Sequence, residues 1–282
     1  MPLPTHQLTR ARVTKLIFLL TMTSFALLGV DPRGAVNTLA LSLPVEDDHS
    51  SFHSPCIEKP FTVLRGVYWG VWEDTTELCA AMGTPANSDV LDIGTGSGIL
   101  AITALERGAR SAIATDINPT AVENARLNAR LRNLESKLDA RLVPVDNPSA
   151  YSIIKEGERF DLIVCACPAF DAEVHTYVDA NAFDPRHELV ISLLRGLKTH
   201  LQPGGKLLMS YWTGGMDLLL NLVKENALKL TVLKNTGLKR PDSGPAAIDP
   251  LELYKIPRDK IKDPIRWHDH GVIVEIVPSA SQ

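Results

Sequence analysis

The sequence predicts an α/β fold, a doubly wound and mostly parallel sheet with an antiparallel C-terminal edge. Three observations carry this reading. Five short apolar runs rich in β-branched residues alternate with amphipathic stretches. The first of these runs ends in a loop with glycine at alternate positions, Gly94, Gly96 and Gly98. A turn signal, "QPGG" (202–205), stops a helical stretch ahead of the fifth run. Strands separated by helices form parallel βαβ units covered on both faces, and right-handed crossovers leave a doubly wound sheet as the first choice.

The chain opens with Arg10, Arg12 and Lys15 ahead of an uncharged run, "LIFLLTMTSFALLGV" (16–30), and no acidic residue precedes Asp31. A basic flank followed by a short apolar run is the pattern of a secretory signal, with "TLA" (38–40) as a small-x-small cleavage site. A membrane span needs about 20 residues. An uncleaved anchor, with membrane association through residues 16–30, is therefore the second choice. Organelle targeting is the third, and a buried N-terminal helix is the plain alternative. Residues 1–40 thus read as a signal, anchor or targeting segment, the polar and Pro-containing residues 41–60 as a linker, and residues 61–282 as one domain.

Within that domain the apolar runs at 89–94, 111–117, 140–145, 160–167 and 205–212 read as buried strands. Helices are expected at 73–83, 97–108, 119–132, 149–156, 186–201 and 215–227. Past residue 228, "LKLTVLKNT" and "LELYKI" read as two strands without an intervening helix, a hairpin-like edge, and "HGVIVEIV" (270–277) as a further strand. With 45% hydrophobic and 22% charged residues over 282 positions, the composition is that of a globular chain with a sizeable core. A net charge of −4 gives no global electrostatic reason to bind nucleic acid. Residues 224–268 hold ten Lys or Arg against six Asp or Glu and read as a solvated face. Cys56, Cys79, Cys165 and Cys167 make no metal pattern, and a disulfide framework is not expected in a domain of this size.

In "VLDIGTGSGIL", Asp92 ends the first strand and the position of a third dinucleotide glycine is Ile99. Asp-x-Gly-x-Gly-x-Gly resembles motif I of the class I S-adenosylmethionine-dependent methyltransferases. The resemblance implies the Rossmann-like methyltransferase fold and S-adenosyl-L-methionine as cofactor. It assigns Asp92, Gly94, Thr95, Gly96 and Gly98 to the methionine half of that cofactor and Asp116, at the end of the second strand, to the ribose, with Ile117 also a cofactor-binding residue. Asp116 would accept hydrogen bonds from both ribose hydroxyls. Asp146, just past the third strand, sits where the family often contacts the adenine amine, with a plain turn residue as the alternative. Glu73-Asp74-Thr75 is similar to the opening helix of methyltransferases related to the release-factor glutamine methylating group. That similarity brings Asp74 and Thr75 to the cofactor, and either residue also suits a helix N-cap. Trp69 and Trp72 read either as walls of an acceptor pocket or as core.

The fourth strand, "FDLIVCACPAF" (160–170), is similar to the segment that reads Asn-Pro-Pro-aromatic in the glutamine-methylating group. Cys165 falls at the cofactor edge, and Ala166, Cys167, Pro168 and Phe170 fall at the acceptor. Ala166 stands where the Asn would be, so the amide that holds a planar amino group is lost. That argues against glutamine or exocyclic nucleobase amines as acceptors. Residues 169–188 read as a lid carrying Asp171, Glu173, His175 and His187. His175 is the candidate general base, with a surface residue as the alternative. The expectation is a methyltransferase acting on an N, O or S nucleophile of a protein or small molecule rather than a nucleic acid. The alternatives are an aminopropyl transferase-like enzyme and a degenerate cofactor-binding interaction module. The sequence does not identify the acceptor molecule or the oligomeric state.

Overall fold

The computed structural model describes residues 49–54, 56–68, 73–168, 170–236 and 271–279. The expectations for residues 1–48, for Trp69 and Trp72, and for the "LELYKI" strand lie outside them. Among the described residues, no helix is long and apolar enough to cross a membrane.

Seven strands form one sheet: β3 (Asp89–Ile93), β4 (Ser111–Asp116), β5 (Leu138–Leu142), β6 (Phe160–Ala166), β7 (Leu201–Trp212), β8 (Leu228–Thr236) and β9 (Gly271–Pro278), in the order β5-β4-β3-β6-β7-β9-β8. The first five of these are parallel, and β9 runs antiparallel between β7 and β8. The predicted doubly wound sheet with an antiparallel C-terminal edge is therefore the observed architecture. β8 pairs with β9, the strand predicted at 270–277, and β9 takes the inner place.

Among the described residues, five helices cover the sheet: α1 (Glu73–Met82), α2 (Ile99–Glu106), α3 (Pro119–Arg130), α4 (Glu188–His200) and α5 (Met216–Glu225). Alternating residues of each strand point to opposite faces. Val90, Leu162, Val164 and Leu208 pack with α1, α2 and α3, whereas Leu91, Ile163, Leu207 and Met209 pack with α4 and α5. Three layers result, with both sheet faces dry, which is why these strands read as continuous apolar runs.

Three segments differ from expectation. Residues 149–156 form a turn rather than a helix. Ser192 Oγ accepts the Ala150 N–H, and the Tyr151 hydroxyl donates to the Leu193 carbonyl, so the turn is fixed onto α4 instead. The "QPGG" stretch lies inside β7, where the ladder skips from Leu201 to Lys206 against Phe160 and Leu162. It is a bulge, and a Cβ on Gly205 would meet the Phe160 carbonyl oxygen at 2.8 Å.

The end of the expected linker is a hairpin, with β1 (His49–Ser54) antiparallel to β2 (Ile57–Leu64). Two amides on α3 bind the free edge of β2. Asn124 accepts from Leu64 N at 2.8 Å and donates to the Thr62 carbonyl at 2.9 Å. Asn128 accepts from Thr62 N at 3.0 Å and donates to the Thr62 and Ser97 carbonyls at 2.7 and 2.9 Å. Both side chains are fully buried. They do for β2 what a neighbouring strand would do, and through Ser97 Asn128 also holds the glycine loop.

Candidate active site

The strand order reverses between β3 and β6, which places a crevice over the carboxyl ends of these strands. Ile93, the residue before Gly94, is the ladder partner of Thr115 on one side and of Cys165 on the other. Asp92, the glycine loop, Asp116 and the "CACP" segment therefore converge at one place. Ser210 of β7 is the ladder partner of Ala166, and its hydroxyl lies 3.5 Å from Asp74 Oδ2. That contact brings the start of α1 to the same edge.

The loop is held by its backbone. Gly94 N and Thr95 N both donate to the Thr115 carbonyl at 2.9 Å, and Ser97 N donates to the Tyr68 carbonyl at 3.2 Å. Gly96 and Gly98 have φ of +53° and +87°, values costly for other residues. A Cβ on Gly96 would meet the Tyr68 carbonyl oxygen at 3.0 Å, and one on Gly98 the Ala125 Cα at 2.9 Å. Gly94 is different: a Cβ there would meet nothing within 4 Å. Two of the glycines serve packing, and Gly94 faces open space where a ligand can approach the backbone.

Asp92 is fully buried. Its Oδ2 accepts from Thr95 Oγ1 at 2.7 Å and from Ala101 N at 3.0 Å, while Oδ1 has no partner. Burial pushes its carboxyl up to about 7, opposed by those two bonds and reinforced by Asp116. Asp116 Oδ2 accepts from Gly96 N at 2.9 Å and Oδ1 from Asn118 N at 2.8 Å. Burial pushes this carboxyl up to about 6, against the backbone bonds. Each oxygen carries a second lone pair, so two hydroxyls can still bind.

These features suit S-adenosylmethionine. The site sets two carboxylates at the crevice, which repel a pyrophosphate and attract a cofactor bearing an ammonium and a sulfonium. Asp92 offers an unmatched buried acceptor and Asp116 a bidentate one. When bound, this cofactor supplies an electrophilic methyl group. The chain's own task is then to align the acceptor and exclude water.

The other predicted residues fall as follows. Thr95 is buried with its hydroxyl on Asp92, and Ile117 is half-buried at the end of β4. Asp146 is exposed in the turn after β5. Thr75 is buried with its hydroxyl unpartnered, and Asp74 Oδ1 accepts the Thr75 N–H at 2.9 Å. Ala166, the last residue of β6, and Cys167, Pro168 and Phe170 beyond it are half-buried. His175 is exposed, its Nε2 3.7 Å from Glu173 Oε2.

One local feature lies outside the sequence expectation. Cys165 and Cys167 are joined by a disulfide across Ala166. Domain size argues against a disulfide scaffold for the core, but it says nothing about a local bridge between neighbours. The sequence reading also missed Asn124 and Asn128, whose i, i+4 spacing on a face that otherwise packs inward was the available signal. It missed Trp212 as well, whose ring meets Phe170 edge-on at a centroid distance of 5.2 Å.

Residues 73–169 match the ribosomal protein L11 methyltransferase (PrmA) family. A ribosomal protein L11 methyltransferase of Symbiobacterium thermophilum is 34% identical over 158 residues, which is 54% of this chain and 43% of that protein. A release factor glutamine methyltransferase of Cereibacter sphaeroides is 34% identical over 142 residues, 46% of this chain and 48% of that protein. The chain thus matches less than half the length of either relative. In fold, the tRNA m1G37 methyltransferase of M. jannaschii superposes with a TM-score of 0.53 at 14% identity, over 84% of this chain and 56% of that one. The chain thus has the fold of the class I S-adenosylmethionine-dependent methyltransferases, and over residues 73–169 it is similar to the ribosomal protein L11 methyltransferases.

Proposed function

We propose that the chain transfers the methyl group of S-adenosylmethionine to a side chain of a protein. The observation that carries this reading is the span of the family match. Residues 73–169 include the start of α1, both carboxylate-bearing strand ends and the acceptor segment through Pro168, so the likeness covers the cofactor half of the crevice and most of the acceptor segment. Both relatives are named for protein acceptors, ribosomal protein L11 and a release factor. The net charge of −4 offers no general attraction for a nucleic acid.

Ala166 supplies no amide to hold a planar amino group. A glutamine acceptor is accordingly disfavoured, and an amine, hydroxyl or thiol held by backbone carbonyls at 166–168 is favoured. The test is incubation of the full chain with methyl-labelled S-adenosylmethionine and a fractionated extract. Label in protein is expected. Label confined to nucleic acid or to small molecules overturns the protein assignment.

A further inference from the structure

The Cys165–Cys167 bridge spans the residue at which the acceptor segment leaves the sheet. Two residues apart in an extended strand, Cα atoms lie about 6.6 Å from each other. Here the separation is 5.2 Å, so the bridged chain is contracted around Ala166. β6 ends at Ala166, although β7 continues for two residues beyond its ladder partner Ser210. The bridge therefore lies where the ladder stops, at the segment whose carbonyls are proposed to hold the acceptor.

The next ordered contacts are those of the lid. Phe170 N donates to the Ala182 carbonyl at 3.0 Å, and Asp184 N donates to the Phe170 carbonyl at 2.9 Å. The Phe170 ring rests on Trp212. Phe170 is thus the pivot joining the bridged segment, the lid and β7, three residues from Cys167. A change in chain path at Cys167 is transmitted to that pivot through few intervening bonds.

The two sulfurs are unequal. Cys165 is fully buried against the α4 layer, whereas Cys167 is partly exposed. Cys167 is therefore the more accessible of the two, and attack of a thiolate there would expel the Cys165 thiolate.

We propose that Cys165 and Cys167 form a reversible thiol–disulfide exchange site that switches the acceptor segment and lid between two conformations. The reacting partners are a low-molecular-weight thiol and its disulfide. In the reducing direction, two thiols attack in sequence through a mixed disulfide. The Cys165–Cys167 bond breaks, one S–S bond forms between the two small thiols, and two protons pass to Cys165 and Cys167. Oxidation is the reverse reaction with the small disulfide. This site deepens the reading of the acceptor half of the crevice, but its test does not use methyl transfer, so the two can fail separately.

The full chain is equilibrated in reduced or oxidised glutathione and its thiols are alkylated. The 165–167 peptide is then read by mass spectrometry, which distinguishes it from those carrying Cys56 and Cys79. In parallel the native protein is treated with trypsin, and cleavage after Arg186 is followed. That residue is exposed on the lid, and its N–H donates to Asp171 Oδ1 at 2.7 Å. The expected result is a reversible exchange between no alkylation and double alkylation of 165–167. Reduction should speed Arg186 cleavage by at least about threefold. Cys167→Ser should cleave at the reduced rate in both buffers, with circular dichroism checking its fold. A bridge that resists glutathione in the folded protein overturns the proposal. So does a bridge that opens without changing the Arg186 rate.

Discussion

The backbone N–H of Gly96 donates to Asp116 Oδ2 at 2.9 Å, so the glycine loop after β3 and the acid after β4 are one hydrogen-bonded unit. The loop aims the carboxylate, and the carboxylate fixes the loop. Asp116→Ala removes the ribose acceptor and leaves Gly96 N without its partner. We expect S-adenosylmethionine binding to weaken roughly 10- to 100-fold, as lost charge-assisted bonds of about 1.5–3 kcal/mol imply. Isothermal titration measures it, and Asp116→Asn should fall between the two proteins.

The glycines differ in what they do, and substitution should separate them. Gly98→Ala places a Cβ 2.9 Å from the Ala125 Cα at a φ of +87°, so the helix–helix contact must shift. A loss of about 2–4 kcal/mol in stability is expected from clash and backbone strain together. Gly94→Ala meets nothing within 4 Å and bears only the conformational cost of φ +69°, about 1 kcal/mol. Its larger effect should be on cofactor binding. Thermal melts with and without S-adenosylmethionine distinguish the two variants.

Cofactor binding should strengthen as pH rises. Asp92 and Asp116 titrate near 7 and 6 in the folded protein, against 3.8 as the ordinary value. Both folded values lie above the unfolded ones, so the free protein loses stability as pH climbs from about 4 to about 7 and is level beyond. A cationic ligand favours the ionised carboxylates, so its affinity rises over pH 5 to 8 and its stabilising effect rises with it. Titrations at pH 5.5 and 8 check this. An affinity that falls across that interval contradicts the assignment of these two acids.

Asn128 supports the loop from outside the crevice. Its side chain makes three hydrogen bonds to β2 and Ser97 with no access to water. Asn128→Leu strands the Thr62 N–H and the Ser97 carbonyl, while Asn124 still serves the Thr62 carbonyl, and we expect a loss of about 2–5 kcal/mol, since each orphaned buried group costs about 1–3. A denaturant midpoint that does not move would show that β2 is held by other contacts.

How much of this was legible depends on how local each signal is. The sheet could be read because its strands are dry on both faces and therefore apolar throughout. The cofactor acids could be read because Asp92 and Asp116 each end a strand, at fixed distance from a glycine loop. The β1–β2 hairpin could not, because its partner on one edge is a helix carrying Asn124 and Asn128, far along the chain. The Cys165–Cys167 bridge escaped notice because a C-x-C pair in a large domain carries no scaffold logic. The turn at 149–156 looked helical by periodicity, and contacts with Ser192 and Leu193 decided otherwise.

The most direct measurement is equilibrium binding of S-adenosylmethionine to the full, folded chain, with Asp116→Ala beside it. Saturable one-to-one binding with a Kd of about 1–100 µM, weakened at least about tenfold in the variant, is the expected result. A folded chain that shows no binding near 1 mM, or one that binds equally well without the Asp116 carboxylate, contradicts the placement of the cofactor across Asp92, the glycine loop and Asp116.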